Sequence, residues 1–112
     1  MDIVATIQDQ LDRNPVLIDM KGTPEAPQCG FSARAVAALT STGVQFAFVN
    51  ILQNPAIREQ LPRIANWPTF PQVFVGGDLI GGSDIVAAMA ADGTLKALVE
   101  SATSKPPAMS GA

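Results

Sequence analysis

No part of this chain runs far without a backbone break. Nine prolines and nine glycines cut it at Asn14-Pro15, Gly43, Asn54-Pro55, Asn66-Trp67-Pro68-Thr69-Phe70-Pro71, Gly76-Gly77, Gly81-Gly82 and Asp92-Gly93. Proline lacks an N–H and glycine accepts positive φ, so such sites end helices and strands. Short apolar pieces between frequent breaks can bury themselves only as layers around a shared core. At 112 residues the chain suits one compact domain. With 47% hydrophobic and 15% charged residues, it has the composition of a folded chain. No apolar run approaches the roughly 18 residues that span a bilayer. The start, MDIVATIQDQ, carries an acid at position two and no basic region, so no targeting segment is expected.

The pieces read in order as follows. Asp2 to Arg13 is an amphipathic helix with Ile3, Ile7 and Leu11 at four-residue spacing, Val4 beside them and Asp2 as its cap. Val16 to Met20 is a strand buried on both faces, interrupted by Asp19. Lys21 to Gln28 is a loop, and Cys29-Gly30-Phe31-Ser32 leads into a helix over Ala33–Thr42 with Val36 and Leu39 inward. Val44–Ile51 is a second strand. A helix starts at Asn54-Pro55 with Ile57, Leu61 and Ile64 as its stripe, and Pro62 keeps it short or kinked. Gln72–Val75 and Leu79-Ile80 form a hairpin about Gly76-Gly77-Asp78. Gly81-Gly82-Ser83-Asp84 opens a helix over Ile85–Ala91, and Thr94–Ala102 is the last helix. Residues 104–112 show no periodicity and read as a disordered tail. A βαβ unit followed by a hairpin and helix predicts an α/β domain over residues 1–103. Its expected fold is thioredoxin-like: a four-stranded mixed sheet with helices on both faces.

Composition then excludes several kinds of chemistry. Seven basic and ten acidic residues give a net charge of −3, which argues against a nucleic-acid or anionic-membrane partner. The chain has no histidine, so Ser-His-Asp and Cys-His catalysis and histidine metal sites are out. Its one cysteine permits neither an internal disulfide nor a CxxC zinc site, and a reducing, cytoplasmic setting is expected.

That cysteine, Cys29, has two readings. A free cysteine often serves as a small buried hydrophobe. Here it follows a proline-containing loop and precedes a helix, whose open N–H groups favour a thiolate. Lys21 adds positive charge, and both effects make a nucleophile or metal ligand. Ser32 stands where dithiol oxidoreductases carry a second, resolving cysteine.

MKGTPEAPQCGFS, ILQNPAIR, NWPTFPQ and GGSD, in that order and spacing, resemble the segments of the monothiol, CGFS-type glutaredoxins, most of all their single-domain bacterial form. The resemblance spans residues 3–100. It implies a glutaredoxin domain that binds glutathione and assembles a 2Fe–2S cluster between two subunits. Each subunit would give one cysteine, and two glutathiones would give the remaining thiolates. It also implies cluster transfer to apo iron–sulfur acceptor proteins and pairing with BolA-like proteins. Cys29 is then both the redox thiol and the cluster ligand.

The other site residues follow by resemblance. Lys21 and Arg58 would hold the glycine carboxylate of glutathione, although each also reads as solvated surface charge. Thr69, Phe70 and Pro71 would offer an extended backbone edge, with Pro71 cis as in the family; a plain loop proline is the alternative. Gly81 and Gly82 would let the chain approach the ligand. Ser83 and Asp84 would meet a carboxylate at a helix N-terminus, with Asp84 on the γ-glutamyl amine; an ordinary helix cap would use the same groups. Phe31 would shield the cluster or pack inward, and Trp67 reads as a packing residue. Three departures stand out. Asn50 replaces the usual aspartate, a change expected to matter little. Asp19 replaces a large apolar residue, which is costly unless it reaches the surface. Ser83 replaces a second cysteine found in many members. An enzymatic alternative, glutathione-dependent deglutathionylation through Cys29, needs the same residues. The long loop before Cys29 predicts poor turnover.

Overall fold

The structure is a computed structural model that describes residues 2–104. Helix α1 spans Ile3–Arg13, with the Asp2 carboxylate accepting from the Val4 N–H. Strand β1 (Val16–Met20) follows. The Lys21–Gln28 segment, expected as a plain loop, folds into a miniature hairpin, β2 (Gly22–Thr23) with β3 (Ala26–Pro27). Its turn is closed by the Ala26 N–H donating to Thr23 Oγ1, a local bond that loop composition does not announce. Helix α2 spans Gly30–Ser41, three residues earlier at its start than expected, with Cys29 as its N-cap.

Strand β4 is only Ala47–Asn50, half the apolar run that predicted it. The Val44 N–H is instead taken by the Thr42 hydroxyl, so the residues after Gly43 leave the helix before they can join the sheet. Helix α3 runs Pro55–Ile64, a short helix that contains Pro62. Ile57 and Leu61 are buried, but Ile64 is exposed, as is Val4 of α1; neither belongs to its predicted stripe. Strands β5 (Gln72–Val75) and β6 (Asp78–Gly81) form the expected hairpin. Gly76 and Gly77 both have positive φ, 62° and 84°, which suits a tight hairpin turn and excludes most other residues. Helix α4 is Ser83–Asp92 and α5 is Thr94–Ser104. The last helix therefore outruns its predicted end and takes in Ser104, where the disordered tail was expected to begin; the rest of that expected tail, 105–112, lies outside the described residues.

The sheet order is β4-β1-β5-β6. β4 is parallel to β1, while β5 is antiparallel to β1 and β6 to β5. Alternation along β1 divides the core. Val16, Ile18 and Met20 pack with Val36, Leu39, Val86, Leu95 and Val99 on the α2/α4/α5 side. Leu17 packs with Ile7, Val49, Ile57, Leu61 and Phe74 on the α1/α3 side. This is the predicted thioredoxin-like sandwich, and burying both faces explains why β1 reads as an apolar run. Asp19 does not reach the surface. It is 2% exposed, and its place in the alternation sets it on the α1/α3 side opposite Gln72. Burial pushes its carboxyl up to about 7.

Candidate functional site

The N-termini of α2 and α4, the start of α3 and the 67–71 loop converge at one end of the sheet. They surround an open cleft of about 720 Å³. All nine predicted site residues line it: Lys21, Cys29, Arg58, Thr69, Phe70, Pro71, Gly82, Ser83 and Asp84. The fold gathers them from five separate parts of the chain. Phe31, Pro62, Trp67, Pro68 and Ile85 complete the wall. Phe31 is 61% exposed, so it borders the cleft rather than packing inward.

Cys29 occupies the position its local sequence demands. Its backbone is extended (φ −155°, ψ 135°) and its side chain makes no capping hydrogen bond as a thiol. Once ionised it faces the open first turn of α2. The Ser32 backbone N–H contributes most to lowering its pKa below the usual thiol value; partial burial opposes this; the Phe31 N–H, the Lys21 charge and the Ser32 hydroxyl add to it. The buried-hydrophobe reading fails, because Cys29 is half-exposed at the cleft. Ser32 itself is fully buried, and its Oγ accepts from the Lys21 N–H at 3.1 Å. The hydroxyl thus ties the end of β1 to the start of α2.

The loop wall is held from beneath. Gln72, fully buried, donates through Nε2 to the carbonyls of Trp67 (2.9 Å) and Thr69 (3.4 Å). The Phe70–Pro71 peptide is cis. The Phe70 N–H and carbonyl have no hydrogen-bond partner among the described residues, which leaves a bare backbone edge in the wall. Gly82 serves a contact within the chain. A Cβ there would lie 3.3 Å from the Pro71 carbonyl oxygen and 3.5 Å from Trp67 Nε1, so this glycine lets α4 start against the cis-proline loop. Gly81 likewise leaves room for Ile85. Gly82 also lines the cleft, whereas Gly81 does not.

Some contributors were not singled out from sequence. Gln72 was read only as the first residue of a strand, yet a glutamine heading QVFV was the signal for a buried polar anchor. Asn50 does more than expected: its Oδ1 accepts from the Gly22 and Leu52 N–H groups, both at 3.0 Å. It joins β4 to the hairpin before Cys29. A carboxylate would accept the same two bonds, which explains why asparagine is tolerated there. Arg34, also unremarked, places Nη1 2.5 Å from Asp84 Oδ1.

A sequence profile of the Glutaredoxin family matches residues 16–80, the stretch from β1 through most of β6. The chain belongs to the glutaredoxin family. This glutaredoxin is 57% identical over 99 residues to Glutaredoxin 4 of Buchnera aphidicola subsp. Acyrthosiphon pisum, covering 88% of this chain and 92% of that one. It is 53% identical over 102 residues to Glutaredoxin 4 of Escherichia coli (strain K12), covering 91% and 89%. Its fold superposes on reduced apo GrxS14 from poplar with a TM-score of 0.79 at 38% identity, over 92% of this chain and 94% of that one. With its single cysteine in CGFS, it is a monothiol glutaredoxin of the single-domain bacterial type. Among the described residues no helix is long and apolar enough to cross a membrane.

Proposed function

We propose that this glutaredoxin binds glutathione in the cleft and, as a cytoplasmic homodimer, carries a 2Fe–2S cluster that it passes to apo acceptor proteins. The observation that carries the reading is a single activated thiol at the mouth of a cleft built for an anionic peptide. Lys21 and Arg58 supply positive charge for a carboxylate. The unpaired Phe70 backbone can bond an extended peptide as an added strand would. The start of α4 presents Ser83 and Asp84 beside open N–H groups. Such a cleft matches glutathione in charge and polarity, and it ends at the one atom a thiol ligand must approach.

Ligand number makes the cluster reading a two-chain one. A 2Fe–2S cluster takes four thiolates, and this chain holds one cysteine. Among the described residues no cluster of three or more His, Cys, Asp or Glu could substitute. Two copies supply two thiolates and two glutathiones the others. A BolA-like partner in place of one copy is an alternative assembly. Anaerobic reconstitution with iron, sulfide and glutathione tests the proposal. The expected product is coloured, dimeric by sedimentation and contains one glutathione per chain. An equally coloured product formed without any added thiol would defeat it.

The half-exposed, activated thiol also suits thiol–disulfide exchange, which favours a second reading as a deglutathionylase. Cys29 thiolate attacks oxidised glutathione, forms a mixed disulfide and releases one glutathione thiolate. Ser32 cannot resolve that disulfide, so release needs a second glutathione at the Cys29-bound sulfur. Turnover in a glutathione-coupled disulfide reduction assay is expected to be weak beside a dithiol glutaredoxin. Comparable turnover would place the enzyme reading first.

Charge removal tests the peptide cleft itself. Lys21→Ala and Arg58→Ala are each expected to weaken glutathione binding by about 1–2 kcal/mol, the range for a charge-assisted contact reduced by solvent screening. Calorimetric titration showing unchanged affinity in both variants would remove these residues from the site.

A further inference from the structure

Gln72 holds the cleft wall with one half of its amide and leaves the other half unused. Its Nε2 donates to the Trp67 and Thr69 carbonyls. Those two acceptors require the nitrogen on the loop side, so Oε1 points away from the loop. That oxygen is buried and has no hydrogen-bond partner among the described residues. Leaving a buried amide acceptor without a donor is costly, so the neighbouring polar groups decide how well the amide is held.

The sheet register brings one such group to it. Gln72 on β5 lies directly opposite Asp19 on β1. Opposed residues of antiparallel strands project from the same face, with Cβ atoms about 5 Å apart. Both are buried, Asp19 at 2% and Gln72 at 0% exposure. On its other flank Asp19 meets Val49 of β4, which is apolar. An ionised carboxylate offers only acceptors and repels Oε1, whereas a protonated one offers an O–H. No fixed charge nearby forces either state. Strands β4 and β5 and the 67–71 loop carry no charged side chain. Lys21 lies beyond the end of β1, and the charged residues of the covering helices, Asp9, Asp12 and Arg13 on α1 and Arg58, Glu59 and Arg63 on α3, are exposed. Burial alone raises the Asp19 pKa.

We infer that Asp19 is a positioning residue of the cleft: its protonated carboxyl donates to Gln72 Oε1 and so holds the Gln72 amide in the orientation that supports the 67–71 wall. Loss of that proton sets two acceptors against each other. The amide then turns its Nε2 to the carboxylate, and the Trp67 and Thr69 carbonyls lose their donor. The Phe70 backbone edge beside them loses its fixed position. The consequence for ligand binding rests on the glutathione reading; the latch itself belongs to the fold. The protonated form is the competent one, so affinity falls as pH rises through the Asp19 value of about 7.

The chain's single tryptophan, Trp67, reports on the wall directly. Its fluorescence in the native protein is expected to change between pH 6 and pH 8.5 with a midpoint of about 7. Asp19→Asn is expected to lose that component, because its amide N–H serves Oε1 at every pH. The Cys29 thiol titrates in both proteins and cancels in the comparison. Calorimetric titration with S-methylglutathione, which has no thiol to ionise, reads the effect on binding. Native protein and Asp19→Asn are expected to bind it equally at pH 6. At pH 8.5 the native protein is expected to bind about three- to tenfold more weakly, the effect of one hydrogen bond. Asp19→Leu has neither the charge nor the donor, and is expected to bind as weakly at pH 6 as the native protein does at pH 8.5. Identical fluorescence curves for native protein and Asp19→Asn, or Asp19→Leu binding as tightly as Asp19→Asn, overturns the role of Asp19. Failure of all three proteins to bind S-methylglutathione overturns the glutathione reading, while the fluorescence comparison still decides the latch.

Discussion

Asp19→Leu is expected to stabilise the fold by about 2–4 kcal/mol at pH 8 and to remove most of its loss of stability between pH 5 and pH 7. The wild-type carboxyl sits in the central strand β1 at 2% exposure, with burial as the cause of its raised pKa. Its value moves from 3.8 to about 7 on folding. At about 1.4 kcal/mol per pH unit, keeping the charged form buried costs about 4 kcal/mol once both states are ionised. The native state holds a proton on Asp19 that the unfolded state has released, so stability falls as pH rises. This contribution is fully present below the ordinary carboxylate range, declines through the folded value near 7 and is flat above it. Asp92 acts in the opposite sense: its Thr94 contacts lower its pKa, so its share fades only in acid. Leucine removes the charge and matches the apolar surroundings of Leu17 and Phe74 on that side of the sheet. Asp19→Asn separates charge from packing and is expected to flatten the pH dependence with a smaller gain. Urea unfolding at pH 5.5 and pH 8 measures both. Equal wild-type stability at the two pH values, with no gain in Asp19→Leu at pH 8, would show that the carboxyl is not held uncharged.

Cys29→Ser is expected to abolish the reconstituted cluster completely, together with modification by oxidised glutathione. The chain has no other thiol, and a serine oxygen is a poor ligand for a cluster that selects soft thiolates. The fold should survive, because Cys29 is an N-cap outside both apolar cores and serine is a preferred residue there. Retention of the visible spectrum in a folded Cys29→Ser variant would sink the carrier reading. The activation of the thiol is open to a separate measurement. The rate of iodoacetamide alkylation is expected to rise with a midpoint below the ordinary thiol value of 9.0, because the Ser32 and Phe31 N–H groups and the Lys21 charge stabilise the thiolate. Lys21→Ala should move that midpoint upward, but only in part, since the α2 N–H groups remain. A midpoint at or above the free-thiol value would contradict the placement of Cys29 at an open helix terminus.

Much of this was legible in the order of residues because the signals are local. Gly76-Gly77 can turn a hairpin whatever surrounds it. Asn54-Pro55 starts a helix through the fixed φ of proline, and the apolar run at Val16–Met20 marks a strand covered on both sides. Cys29 at the entrance to a helix announced its own activation, since the open N–H groups belong to the next three residues. Boundaries were less legible. Val44 and Phe46 are as apolar as any strand residue, but sheet pairing begins only at Ala47, where β1 offers partners.

What sequence left open depends on contacts across long stretches of chain. Nothing beside Asp19 says whether its carboxyl escapes to water; the alternation of β1 between two helical layers decides that it does not. Asn50 and Gly22 are remote in sequence until β4 lies beside the hairpin. Arg34 and Asp84 meet only because α2 and α4 cover the same side of the sheet. Gly81 leaves room for Ile85, and Gly82 both lines the cleft and lets α4 start against Pro71 and Trp67, contacts that no local pattern shows. Torsional preferences and local hydrogen bonding make the main helices and strands, the lone reactive thiol and the residue types of the cleft readable from residue order, though not the small β2/β3 hairpin. Only tertiary structure decided which of those residues meet and which charges are buried, because solvent access and ion pairing depend on distances that close when the layers pack.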